Sequence, residues 1–276
     1  MPHLGLVADT ISEDFARAAA LASDWGISRI ELYHLWHKNV CDLDDGEVER
    51  ALALVRAHGL TVTNIASLVF RCAPTDEAAQ REVAVFERAV TLARRFGTDR
   101  VRCYAYLKQP NLAAVWPRIL RTYETLVDLA ERHGVTMLFE NSSYANVQTA
   151  VELRRFLDAV VHPRLKLLWD AGNAFALGDP TPTVEAWHML KDRIAHLHLK
   201  DSTAHGTNHW VPVGAGAFPL EGLLRALAAD GYRGGISLEP YFGEASDPVR
   251  ERKVQESVEG CRRAAAKAGL DLSGRK

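Results

Sequence analysis

An α/β fold, a single (β/α)8 TIM barrel, is predicted by three features of the chain. Short apolar runs alternate with longer amphipathic stretches through eight units, the pattern of a parallel sheet covered by helices. The length of 276 residues, 47% of them hydrophobic, suits one large core, since such a barrel takes ~250 residues. Gly26, Gly59, Gly97, Gly134 and Gly231 each stand just after a helical stretch and shortly before the next apolar run. A residue that tolerates the left-handed conformation lets the chain reverse at such a point.

Strand-like runs lie near 3–8, 29–33, 61–66, 100–105, 135–140, 165–170, 194–200 and 235–239, each short and apolar enough for a buried parallel strand. Helical stretches follow near 13–25, 45–58, 77–96, 112–133, 148–159, 183–192, 219–229 and 248–267. The first run leads into A-D-T-I-S. A nucleotide-binding open sheet would have a glycine-rich turn there, so a doubly wound fold is disfavoured. The second run ends I-E-L and enters the aromatic loop Tyr33-His34-Leu35-Trp36-His37. The third and fourth lead into Asn64-Ile65-Ala66-Ser67 and Tyr104-Ala105-Tyr106, without a histidine at either end. After the fifth, Thr149-x-x-Glu152 has the spacing of a capping box and leaves Glu140 to Asn146 in a loop. The seventh opens into a long glycine-containing connection from Asp201 to Phe218, which is expected to form a mobile flap. No linker or low-complexity tract divides the chain, so residues 1–276 are expected to form one domain, with 270–276 a loose tail.

A formal net charge of −2 and a pI near 6.6 give no electrostatic reason to expect nucleic acid or membrane as a partner. The start, M-P-H-L-G-L-V-A-D-T, lacks a basic region followed by a long apolar one. Nowhere do ~18 apolar residues run together. A soluble, cytoplasmic protein is expected. Cys41, Cys72, Cys103 and Cys261 are far apart and read as reduced structural thiols.

The chemistry concentrates where apolar runs end. Glu140 closes V-T-M-L-F-E, Asp170 closes K-L-L-W-D, His198 lies in I-A-H-L-H-L, and Glu239 closes G-I-S-L-E, at intervals of 30, 28 and 41 residues. Each interval is about one strand-plus-helix unit. Taken singly, Asp170 could cap a helix before Ala-Gly-Asn, Glu239 could belong to a turn before Pro240, and His198 could be an interior imidazole. Together they gather carboxylates and an imidazole at the tops of adjacent strands. Unpaired, such charges are costly to bury, and a divalent cation removes the cost. Side chains alternate along a strand, so His196, His198 and Lys200 share one face. His196 reads as a hydrogen-bonded interior imidazole.

The motifs L-F-E-N, W-D-A-G-N, H-L-H-L-K-D and S-L-E-P-Y, in this order and spacing, resemble the metal-binding strands of the xylose isomerase-like TIM barrel superfamily, within its sugar phosphate isomerase/epimerase group. The resemblance spans essentially the whole chain. It implies that Glu140, Asp170, His198 and Glu239 ligate one divalent ion, Mn²⁺ or Mg²⁺ first, with Co²⁺ or Zn²⁺ as alternatives. It also implies that Glu140 and Glu239 are the catalytic acid/base pair. They would move a proton on a carbon beside a carbonyl of a polyhydroxy substrate, through an enediolate. Homo-oligomers are common among such proteins.

Substrate-binding candidates are Asn173, Lys200, Glu31, His209, Trp36 and Arg102. Each has a structural counterpart: an ion pair for Glu31, Lys200 or Arg102, and rim packing for the aromatic loop. Two positions depart from ketose 3-epimerases: Asn173 stands where those have histidine, and Asn146 where those have a further glutamate. A dehydratase of the inosose or 3-dehydroshikimate type is the alternative, because the same base and metal can expel a β-hydroxyl. The apurinic-site endonuclease branch is disfavoured by its missing extra histidines, and a non-catalytic sugar-binding barrel by the four intact ligands.

Overall fold

The apolar runs associate as parallel strands because each is buried on both faces. In the computed structural model, which describes residues 1–242 and 247–273, they are β1 (His3–Val7), β2 (Arg29–Leu32), β3 (Thr61–Val69), β4 (Arg100–Cys103), β5 (Thr136–Glu140), β6 (Leu165–Asp170), β7 (Ile194–Leu199) and β8 (Gly235–Leu238). Each pairs with its chain neighbours, and β8 pairs with β1, so the sheet closes into a barrel. The outer helices are α1 (Phe15–Asp24), α2 (Asp45–Ala57), α3 (Asp76–Phe96), α4 (Leu112–His133), α5 (Ala150–Ala159), α6 (Thr183–Leu190), α7 (Leu220–Ala229) and α8 (Asp247–Ala268). The fold is the predicted (β/α)8 barrel. The five reversal glycines all have positive φ, and Thr149 with Glu152 makes the capping box that opens α5.

The core lies between barrel and helices. Phe139 points outward from β5 and packs on Phe156 of α5 and Tyr123 of α4, with ring centroids 4.4 and 5.6 Å away. Alternation then sends Leu138 and Glu140 inward. Register sets the remaining site residues level: Asp170 of β6 pairs with His198 of β7, which pairs in turn with Ser237 of β8.

Differences from the expectation are local. β3 runs three residues further, to Val69. Short helices follow β1 at Ala8–Ile11 and β6 at Ala171–Ala176. Small antiparallel ribbons form at His34–Leu35 with Lys38–Asn39 and at Asp201–Ser202 with Trp210–Val211. The expected loose tail is partly ordered: Leu270 joins the core and Ser273 bridges to His3. Residues 274–276 of that tail lie outside the described residues. The four cysteines are free thiols. Among the described residues no helix is long and apolar enough to cross a membrane.

Candidate metal centre

Glu140, Asp170, His198 and Glu239 converge inside the carboxyl end of the barrel, each offering a ligand atom within 4.8 Å of the others. Opposite donors about an ion at ~2.1 Å stand roughly 4.2 Å apart. His198 Nδ1 lies 3.0 Å from Glu140 Oε1 and 3.4 Å from Glu239 Oε2. Asp170 combines two roles. Its Oδ1 accepts from Asn173 N at 2.7 Å, capping the helix Ala171–Ala176, while its buried Oδ2 accepts no well-angled hydrogen bond. That oxygen is ion-paired instead, 2.7 Å from Lys200 Nζ.

Gly172 of the W-D-A-G-N motif explains how this helix fits. A Cβ there would stand 2.7 Å from Lys200 O and 3.0 Å from Lys200 N, and would collide with Lys200 Cγ. Only glycine lets the capped helix lie against the end of β7.

Two cations are built into the cluster. Lys200 Nζ donates to Glu239 Oε2 at 2.5 Å and to Asn173 Oδ1 at 3.3 Å. Arg102 lies 3.1 Å from Glu140 Oε2 and 3.6 Å from Glu239 Oε1, with its guanidinium 4.3 Å from the Tyr33 ring. Tyr104 donates to Glu140 Oε2 at 2.6 Å. Three buried carboxylates, Glu31, Glu140 and Asp170, and the part-buried Glu239 thus outnumber the fixed cations Lys200 and Arg102, an excess of negative charge that a divalent ion would balance. Oxygen-rich donors with one imidazole match the preferences of Mn²⁺ or Mg²⁺. The residues fit a metal ion.

The titration behaviour follows from burial against charge. Burial pushes Asp170 up to about 6 against the pull of Lys200. For Glu140 burial acts upward too, yet Arg102 and His198 hold it below the usual carboxylate range. Lys200, His198 and Arg102 likewise overcome burial and depress Glu239. Burial would lower His198, but the charges of Glu31 and Glu239 carry it well above an ordinary imidazole.

The other sequence candidates divide into two groups. Asn173 and Lys200 lie beside the cluster, as above. Glu31 and Arg102 are fully buried, Glu31 in contact with His198 and Arg102 with Glu140 and Glu239. Trp36 is at the tight turn of the first ribbon, where both Trp36 and His37 have positive φ. Its ring packs edge-on against Phe15 of α1 and under Arg50 of α2, facing the helical layer. His209 is exposed at the tip of the second ribbon, whereas its neighbour Trp210 has its ring 5.5 Å from Lys200 Nζ. The base of the expected flap is tied down: Asp201 accepts from the backbone N–H groups of Gly214, Gly216 and Phe218. Asn146 closes the β5 loop by donating to the carbonyls of Ala105 and Leu107.

Sequence reasoning named Tyr33 only as part of the aromatic loop and Trp210 only as part of the flap, and gave no role to Tyr104 or Asp9. Asp9 lies 3.1 Å from His34 Nδ1. Alternation from Arg102 would have found Tyr104, two residues on and directly after β4, whose hydroxyl reaches Glu140.

Comparison with known proteins agrees with this geometry. The chain is 25% identical over 234 residues to fructoselysine 3-epimerase of Shigella flexneri, covering 79% of this chain and 82% of that one. A shorter stretch of 87 residues is 32% identical to inosose dehydratase of Klebsiella pneumoniae, 31% of this chain and 29% of the relative. The solved L-ribulose 3-epimerase superposes with a TM-score of 0.78 at 18% identity, covering 98% of this chain and 96% of that one, and so shares the fold. The family profile described as xylose isomerase-like TIM barrel matches residues 19–265. The chain therefore belongs to the xylose isomerase-like TIM barrel family.

Proposed function

We propose that this protein is a divalent-metal-dependent isomerase or epimerase of a sugar, sugar phosphate or related polyhydroxy ketone, with Glu140 and Glu239 as its proton-transfer pair. The observation that carries this reading is the convergence of Glu140, Asp170, His198 and Glu239 at one end of the barrel. The likeness to fructoselysine 3-epimerase over most of both chains supports the reaction class. When bound, the ion would be held by those four residues and would stabilise negative charge developing on a substrate oxygen.

The protein groups supply the rest. Glu140 is 2% exposed and fixed by Tyr104 and Arg102, whereas the Glu239 side chain is 14% exposed and tied to Lys200. One carboxylate is rigid and the other reaches solvent, an asymmetry suited to taking a proton on one face of a carbon and returning it on the other. Lys200 and Asn173, neighbours at the mouth, suit substrate hydroxyls. Arg102 supports the two glutamates and Glu31 the imidazole.

A screen of ketoses, their phosphates and inososes in D₂O with Mn²⁺ tests the proposal. Solvent deuterium should enter one carbon. Glu140→Gln and Glu239→Gln should each slow that exchange by about a hundredfold or more, roughly 3 kcal/mol in the barrier. Exchange undiminished in both variants would remove them as the bases. A dehydratase is the second reading, supported by the stretch shared with inosose dehydratase; a conjugated enone absorbance with cyclic hydroxy-ketones would identify it.

A further inference from the structure

Glu31 is a carboxylate at the centre of the barrel with no exposed surface. It projects from β2, three strands around the wall from β7, and crosses the interior to reach it. Its hydrogen-bond partners among the described residues are two imidazoles. Oε1 lies 2.7 Å from His196 Nε2, and Oε2 lies 3.0 Å from His198 Nε2. A carboxylate without exposed surface needs hydrogen-bond donors around it, and the two imidazoles supply them.

An ionised carboxylate only accepts hydrogen bonds, so both rings must carry their proton on Nε2. For His198 this leaves Nδ1 as the free lone pair. That nitrogen is the one aimed at Glu140 and Glu239. An imidazole nitrogen at this distance from two carboxylates needs a proton or a metal ion between them, and a divalent ion would take the place of the proton. We propose that Glu31 is a positioning residue for the metal centre, holding His198 in the Nε2–H tautomer and in the ring direction that presents Nδ1 to a divalent cation. This rests on the metal-dependent reading above. His196 completes the arrangement: its Nε2 occupies the other Glu31 oxygen and also lies 2.8 Å from Ser237 Oγ. Carboxylate–imidazole–metal arrangements of this kind orient the ligand and raise its basicity.

Mn²⁺ titration of the full chain, with free Mn²⁺ followed by electron paramagnetic resonance, tests the inference. Melting curves establish that each variant is folded. Glu31→Leu should weaken Mn²⁺ binding by about 10- to 100-fold. Glu31→Gln should lose less, because its carbonyl oxygen still accepts from one ring. A second measurement needs no variant: ¹⁵N-histidine spectra of Zn²⁺-loaded wild-type protein should show His198 protonated at Nε2 and metal-shifted at Nδ1. Wild-type Mn²⁺ affinity in the folded Glu31 variants, or a His198 protonated at Nδ1, would overturn the role of Glu31 while leaving the metal centre standing. Absence of Mn²⁺ binding by the wild-type protein would instead remove the metal centre itself.

Discussion

Substituting Gly172 by alanine tests the close approach on which the site geometry depends. The added Cβ would stand 2.7 Å from the carbonyl oxygen of Lys200 and 3.0 Å from its amide nitrogen. Ordinary contacts of carbon are about 3.5 Å, so the helix Ala171–Ala176 must retreat from β7 by roughly 0.5–1 Å. Lys200 cannot simply swing aside, because its Nζ is held by Asp170 and Glu239 at 2.7 and 2.5 Å. Overpacking of this kind costs about 1–3 kcal/mol. Alanine returns no more than ~1 kcal/mol through its higher helix propensity. The net loss of about 1–2 kcal/mol corresponds to a melting temperature lower by roughly 2–8 °C for a chain of this size. The same retreat drags Asp170 and Lys200 apart, so Mn²⁺ affinity and deuterium exchange should fall together, exchange by about 10- to 100-fold. Differential scanning calorimetry and calorimetric Mn²⁺ titration read both effects. A Gly172→Ala protein melting within about 1 °C of the parent, with unchanged Mn²⁺ affinity, would refute the tight packing and the motif's explanation with it.

Three further outcomes are expected. Tyr104→Phe removes the 2.6 Å donor to Glu140 and should slow exchange about tenfold or more, since hydrogen bonds to charged groups contribute roughly 1.5–3 kcal/mol; an unchanged rate would show that Arg102 suffices alone. Burial pushes the thiols of Cys41, Cys72, Cys103 and Cys261 up to about 12, so folded protein should alkylate slowly with iodoacetamide near neutral pH, and rapid labelling seen by mass spectrometry would contradict this. Burial also pulls the His3 imidazole down to about 4 from an ordinary value of 6.5. The folded state therefore favours neutral His3; its stabilisation is present above pH 6.5 and is lost as pH falls toward 4. After solvent screening the effect is on the order of 1 kcal/mol, so His3→Gln should flatten the melting-temperature profile across that window, and an unaltered profile would exclude the assignment.

The architecture was readable because its determinants are local. Continuous apolar runs report strands buried on both faces, and the helix boundaries at 112–133 and 45–57 follow from caps and glycines within the segment. The four candidate ligands stood out because each interrupts an apolar run at a strand end. What the sequence could not supply were contacts across the barrel. Glu31 and His198 are 167 residues apart, so no periodicity links them, and Glu31 reads equally as a mouth residue until the barrel closes over it. Arg102 presents the same ambiguity: an inward arginine announces a partner without saying whether it is substrate or Glu140. Trp36 misleads for another reason. Its aromatic ring suggests a sugar platform, but the turn at Trp36 and His37 directs it onto Phe15, in the helical layer. The extension of β3 to Val69 was missed because Ser67 interrupts the apolar run, although its hydroxyl is satisfied by Arg102 O at 2.5 Å.

The most direct test of the central claim is anomalous diffraction from a crystal of the protein equilibrated with Mn²⁺. One dominant peak is expected, bounded by Glu140, Asp170, His198 Nδ1 and Glu239. A peak elsewhere, or none among these four side chains at saturating Mn²⁺, would contradict it.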